Sequence, residues 1–404
     1  MSKRRQALLP ETVADELVSA AYAYLGGDLE TSEARAAWAV DGPFATERAT
    51  ATGAAIAVET VLSRVWRAGW LPADVWEHVR RTADEVAVAL VLDAIAADTA
   101  KHPAATIDER WEAQVKALGA EVWWDHDRPR LLQRPGLTLG EAVRATVVLL
   151  ARLMRLPELA RILPPPGTAT ARAGRSSGVD QKVLGRVRAL LAKAESTQFP
   201  EEAEALSAKA QELMNRYAFE RALVDAGTHR EQQATSIRVW LESPYLEAKS
   251  QLVTEIGEAN RCRSVFYSRL GFVALVGEET DLRITEVLAT SLLVQATRAM
   301  VAEGRRPDVS ARSRSFRHAF LVAYAIRIGE RLAEAGSRAL DPVEDERLLP
   351  VLADRSRVVE QAFDEMFGET IKKRVSISNG AGMLAGRAAA ERADLTLKRQ
   401  AVDA

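Results

Sequence analysis

Three consecutive prolines and a glycine, Pro164-Pro165-Pro166-Gly167, constrain this chain more than any other feature. Proline has no N–H to give to a helix and its ring clashes with the preceding turn, so no helix can run through this point. The stretch that follows is rich in small residues and arginine as far as Asp180, the composition of a linker. Residues 164–180 therefore divide the chain. A length of 404 residues agrees, since it suggests two or three domains.

Before the prolines, apolar residues recur at helical spacing. Val13 to Leu25 and Ala45 to Trp66 read as helices, and Pro72 opens a further one running through Val86 to Ile95. Another spans Thr106 to Leu118 and stops at Gly119. Asp125 to Gly136 reads as a loop. Thr138 with Glu141 three residues later makes a capping box for the next helix. Residues 1–163 are expected to form one helical domain.

After the linker, residues 181–221 read as a helical hairpin. Val183, Leu184, Val187, Leu190, Leu191 and Ala194 fill one arc of a helical wheel, with Lys182, Arg186 and Lys193 opposite. Pro200 starts the second helix, and Glu201, Glu202 and Glu204 occupy its positive end. The runs Val183 to Thr197, Pro200 to Ala203 and Ala208 to Met214 resemble a bacterial and phage family, domain of unknown function 2786. The likeness covers the hairpin and departs at Ala218-Phe219-Glu220, where relatives more often have a glycine after the tyrosine. The resemblance implies no activity.

Residues 236–398 change character. Ser236 to Leu241 alternates as a strand, a helix follows from Glu247 to Ala259, and Cys262 to Tyr267 and Gly271 to Val276 form a hairpin. Helices are expected at Asp281 to Ala302, Phe316 to Ala335, Val358 to Phe367 and from Ala381 onward. Short strands are expected at Leu348 to Leu352 and Val375 to Ile377. Leu275 to Asp281 and Gly386 to Ala389 resemble the domain that often accompanies the hairpin in that family. The whole is expected to be mainly α: a helical N-terminal domain, a central helical hairpin, and a small α+β C-terminal domain with a short antiparallel sheet.

Composition narrows function chiefly by exclusion. Lysine and arginine number 54 against 56 acids, so binding to nucleic acid or an anionic surface would need a local patch. Cys262 is the only cysteine, which excludes an intrachain disulfide and a cysteine-based zinc cluster. The basic start (Lys3, Arg4, Arg5) lacks a following apolar segment, and runs such as Ala145 to Leu150 are too short to span a bilayer. A cytoplasmic protein, neither exported nor membrane-embedded, is expected.

Candidate sites each have a plainer alternative. Lys182, Arg186 and Lys193, beside Arg172 and Arg175, can track a phosphate backbone or simply form a solvated helix face. Arg305, Arg306, Arg312, Arg314, Arg317 and His318 form the densest basic segment, fit for nucleic acid, an acidic protein or mere solubility. Lys372-Lys373-Arg374 followed by Gly380, Gly382 and Gly386 suggests a strand, turn and helix that could admit an anion; close helix packing explains the glycines equally. Glu279 and Asp281 at a strand end are catalytic candidates, or else Thr280 or Asp281 is a helix cap. Cys262 with His318 could be nucleophile and base, but a lone cysteine in a β-rich run is usually core. Asp125-His126-Asp127 has metal-ligand chemistry without metal-ligand spacing, and no metal or cofactor is expected. The tryptophans Trp66, Trp70, Trp76, Trp111, Trp123 and Trp124 could stack the bases of a single strand, but core packing suits them better, because basic residues do not interleave with most of them. The leading expectation is a non-catalytic binding or adaptor protein contacting nucleic acid through its basic segments. The rivals are an enzyme sited in the C-terminal domain and a purely protein-interacting helical module.

Overall fold

The computed structural model describes residues 9–169, 234–305, 313–340, 348–368, 370 and 379–393. The chain divides into two compact units between Ala173 and Gly174. The described residues are mostly helical, with a small three-stranded antiparallel sheet.

The first unit is all helical: α1 (Pro10–Leu25), α2 (Leu29–Asp41), α3 (Glu47–Arg67), α4 (Pro72–Thr82), α5 (Glu85–Ala100), α6 (Glu109–Ala117) and α7 (Leu139–Met154). Helix α7 is its axis, packing against α1 to α5 through Val143, Val147, Leu149, Leu150 and Leu153, all buried. Its capping box forms as the sequence suggests, with Glu141 N–H donating to Thr138 Oγ1 and Thr138 N–H to Glu141 Oε2. Helix α2 escapes a sequence reading because its apolar stripe is mostly alanine. The helix expected from Pro72 to Ile95 is two helices. Asp84 ends the first by accepting a hydrogen bond from Ala87 N–H at 2.8 Å, a cap that starts α5. Gly119, in the left-handed region at φ 63°, marks the stop after α6.

Beyond α7 the chain straps back over the α3–α4 junction. Leu159 N–H donates to Ala68 O, and Trp70 Nε1–H donates to Pro157 O at 2.8 Å. The start of the proline-rich stretch is anchored too. Gly167 and Ala169 N–H groups both donate to Thr106 O, and Gly167, at φ 83°, lies so close to the His102 ring that a Cβ would collide with it.

The second unit runs β1 (Thr235–Trp240), α8 (Leu246–Ala259), β2 (Arg263–Tyr267), β3 (Phe272–Gly277), α9 (Glu279–Glu303), α10 (Arg314–Leu340), α11 (Leu348–Phe367) and α12 (Gly380–Glu391). The sheet order is β1-β3-β2, with Ile237 opposite Leu275 and Val265 opposite Ala274. Central β3 is buried throughout, which explains its unbroken apolar run. Val273 and Leu275 join a core with α8, α9 and α10; Val276 meets Val359 and Phe363 of α11. The strand expected at Leu348 to Leu352 is instead the first turns of α11. Those apolar residues continue a helical spacing through Val359 and Phe363, and the short run hides that period. The strand expected at Val375 to Ile377 lies outside the described residues, as does the hairpin of residues 181–221.

Helices α10 and α12 run parallel. Gly382 abuts the Phe316 carbonyl and Gly386 the Phe320 carbonyl, so one step of four residues along α12 matches one along α10. Arg327 with Glu391 continues the match, and Arg387 reaches further along α10 to Glu330.

Candidate functional site

The sequence draws attention to the turn from β3 into α9, and the structure shows how it is built. Helix α8 ends in a tight turn in which Cys262 N–H donates to Gly257 O and Arg261 takes a positive φ of 61°. That left-handed residue aims its guanidinium at the first turn of α9. Arg261 Nη2 lies 2.6 Å from Asp281 Oδ1 and its Nε 3.2 Å from Oδ2, a two-point grip on a carboxylate only 2% exposed. Burial works against the Arg261 charge, but Asp281 more than restores it and holds the guanidinium protonated.

The helix cap is neither Thr280 nor Asp281. Glu278 fills that place, accepting from Thr280 N–H at 2.8 Å. Burial, then the neighbouring Asp281 charge, raises the Glu278 carboxyl above its usual range. Glu279 points outward and pairs with Arg283 one turn on, at 2.6 Å. Asp281 therefore serves as an ion-pair partner within the turn and Glu279 as a surface partner within α9. Cys262 is sealed beneath Gly277, where a Cβ would stand 2.7 Å from its Sγ. Burial, reinforced by Asp281, pushes its thiol up to about 12. Its Sγ faces Asn260 O and Thr285 Oγ1, not His318.

The anion candidates have a packing role in the structure. Gly382 and Gly386 present their bare Cα atoms to the backbone of α10, and the Gly382 N–H is taken by Asn379 Oδ1 at 2.8 Å. Gly380 has open space around it.

The basic segment is split. Arg305 follows Glu303, which meets Arg392 just past the end of α12, whereas Arg314 and Arg317 open α10 beside the start of α12. Arg314 is exposed and Arg317 half-buried, and neither pairs with a carboxylate among the described residues. Arg317 Nε is buried without a hydrogen-bond partner. Ser313 accepts from Phe316 N–H and caps the helix they begin. Lys182, Arg186, Lys193 and Arg312 lie outside the described residues.

Elsewhere, Asp125 Oδ1 accepts from Asp127 N–H, a turn that accounts for the Asp-His-Asp run. Trp66, Trp70 and Trp111 are core, as expected. Trp123 and Trp124 are not. Trp123 is 46% exposed, and Arg134 and Arg130 stand over the Trp123 and Trp124 rings at 5.4 and 5.9 Å. Sequence reasoning missed both this cluster and Arg261. Arg134 reaches Trp123 only through the fold of the intervening loop, and nothing local distinguishes Arg261 from its neighbouring arginines.

Fold and site together define a mainly helical protein whose second unit wraps a small antiparallel sheet with helices and ties it by a buried Arg–Asp pair. A family model described as "Protein of unknown function (DUF2786)" matches residues 182–221, the stretch that carries the resemblance. No curated protein and no solved structure matches the chain. No described helix is long and apolar enough to cross a membrane.

Proposed function

We propose that this is a non-catalytic binding or adaptor protein that contacts nucleic acid through two basic segments, Lys182, Arg186 and Lys193 in the first and Arg312, Arg314 and Arg317 in the second. One observation carries the reading. Arg314 and Arg317 keep their charge uncompensated by any described carboxylate, whereas Arg261, Arg283 and Arg327 of the same unit are paired. Cations left free at the start of a helix suit a phosphate backbone, because neutralising phosphates releases counterions. The same reading treats residues 1–163, 164–180, 181–221 and 236–398 as helical domain, linker, hairpin and companion domain, working in the cytoplasm of a bacterium or encoded by a phage.

The test is binding of fluorescent single- and double-stranded DNA and RNA across a salt series. Binding should weaken steeply with salt. Replacing Arg314 and Arg317 by alanine should weaken it uniformly across sequences and lower the salt slope by about 2, one for each lost contact. Absence of binding at low salt refutes the reading.

A further inference from the structure

The first unit holds a cleft whose lining shares only Trp123 with the candidates read from the sequence. It lies between α5 and the segment 119–135 and has a volume of about 380 Å³, within the range of small-molecule sites. Leu92, Ala120 and Pro135 give it apolar walls, and Trp123 supplies an aromatic one.

That aromatic wall is rigidly held although Trp123 is partly exposed. Asp93, only 5% exposed, accepts from Trp123 Nε1–H at 2.8 Å and binds Arg134 through Nε at 3.1 Å and Nη2 at 2.7 Å. Arg134 Nη2 also donates to Ala89 O. One buried carboxylate thus sets the positions of both an indole and a guanidinium before any ligand arrives, the kind of support a binding site needs.

Charge then selects the ligand. Asp93 and Arg134 cancel each other. Glu121 is the remaining charged residue in the lining; it is exposed and has no partner among the described residues. A lining whose one unpartnered charge is negative disfavours carboxylates and phosphates. It suits a cation whose body is apolar.

We propose that this cleft binds a small organic cation, an alkyl- or arylammonium whose apolar body lies against Leu92, Ala120 and Trp123 and whose ammonium group meets Glu121. The site is independent of the nucleic-acid reading, since none of the basic segments contributes to its lining.

The test uses full-length protein with ¹⁵N-labelled tryptophan and three probes of similar shape: phenethylammonium, phenethyl alcohol and 3-phenylpropionate. The Trp123 indole N–H resonance, assigned with Trp123→Phe, should shift saturably with the ammonium and not with the other two. Glu121→Gln should weaken that binding about three- to fivefold, as expected for one solvent-facing ion pair. Leu92→Trp, which fills the cleft, should abolish it. No saturable shift up to about 10 mM, the weak end of measurable affinity, would overturn the proposal. An equal response to all three probes, or unchanged affinity in Glu121→Gln, would also do so. Should Leu92→Trp disturb folding, the Glu121→Gln comparison decides.

Discussion

Substituting alanine at two glycines of one helix should produce effects of opposite sign. A Cβ on Gly386 would stand 2.1 Å from the Phe320 carbonyl oxygen and 2.8 Å from its carbon. The obstructing atoms are backbone and cannot rotate away, so α12 must retreat by nearly an ångström to reach a tolerable contact. Overpacking of this kind costs about 3 kcal/mol at the upper end. Alanine's better helix propensity returns about 1 kcal/mol, leaving a net loss of about 2 kcal/mol. Gly380 is the internal control. Nothing lies within 4 Å of its would-be Cβ, so Gly380→Ala should be neutral or stabilise by up to about 1 kcal/mol. Hydrogen exchange read by mass spectrometry is the suitable assay, because it reports α12 alone rather than a two-unit chain that need not unfold in one step. Amides of α12 should exchange about thirtyfold faster in Gly386→Ala and no faster in Gly380→Ala. Equal protection in the two variants would refute the close parallel packing of α10 and α12.

Two further predictions concern charge. Asp281→Asn removes the carboxylate that grips the Arg261 guanidinium and should destabilise the second unit by about 2–3 kcal/mol; the double variant Arg261→Met with Asp281→Leu should lose less, and an equal or greater loss in the double variant, read by hydrogen exchange across β3 and α9, would refute this. His78 gives a pH dependence. Burial, with Arg152 and Arg81 nearby, pushes its imidazole from 6.5 down to about 4 in the folded protein. The depressed value means that stability from this group is complete above about pH 6.5 and is lost as pH falls through about 4, by at most about 3 kcal/mol. Seven of the eight tryptophans lie in the first unit, so urea unfolding followed by tryptophan fluorescence reads that unit. His78→Phe should flatten the slope between those pH values, and an unchanged slope would contradict the assignment.

Features set by neighbours along the chain were legible from the order of the amino acids alone. The Thr138 capping box, the Gly119 stop, the β2–β3 hairpin and the mainly helical class depend on spacing and on backbone chemistry within a few residues. Spacing failed where a local run was too short to show its period, at Leu348 to Leu352, or where alanine blurred the apolar stripe, in α2. It also suggested two features of Asp281 and Gly386 without deciding their use. Only tertiary structure settles that Asp281 meets Arg261 across 20 residues, that Gly386 lies against the Phe320 carbonyl, and that Asp93 binds both Trp123 and Arg134. The physical reason is common to all three. A carboxylate, a glycine or an indole can serve several ends, and which one it serves depends on the atoms that folding brings within a few ångströms of it, from parts of the chain that carry no mark of the meeting.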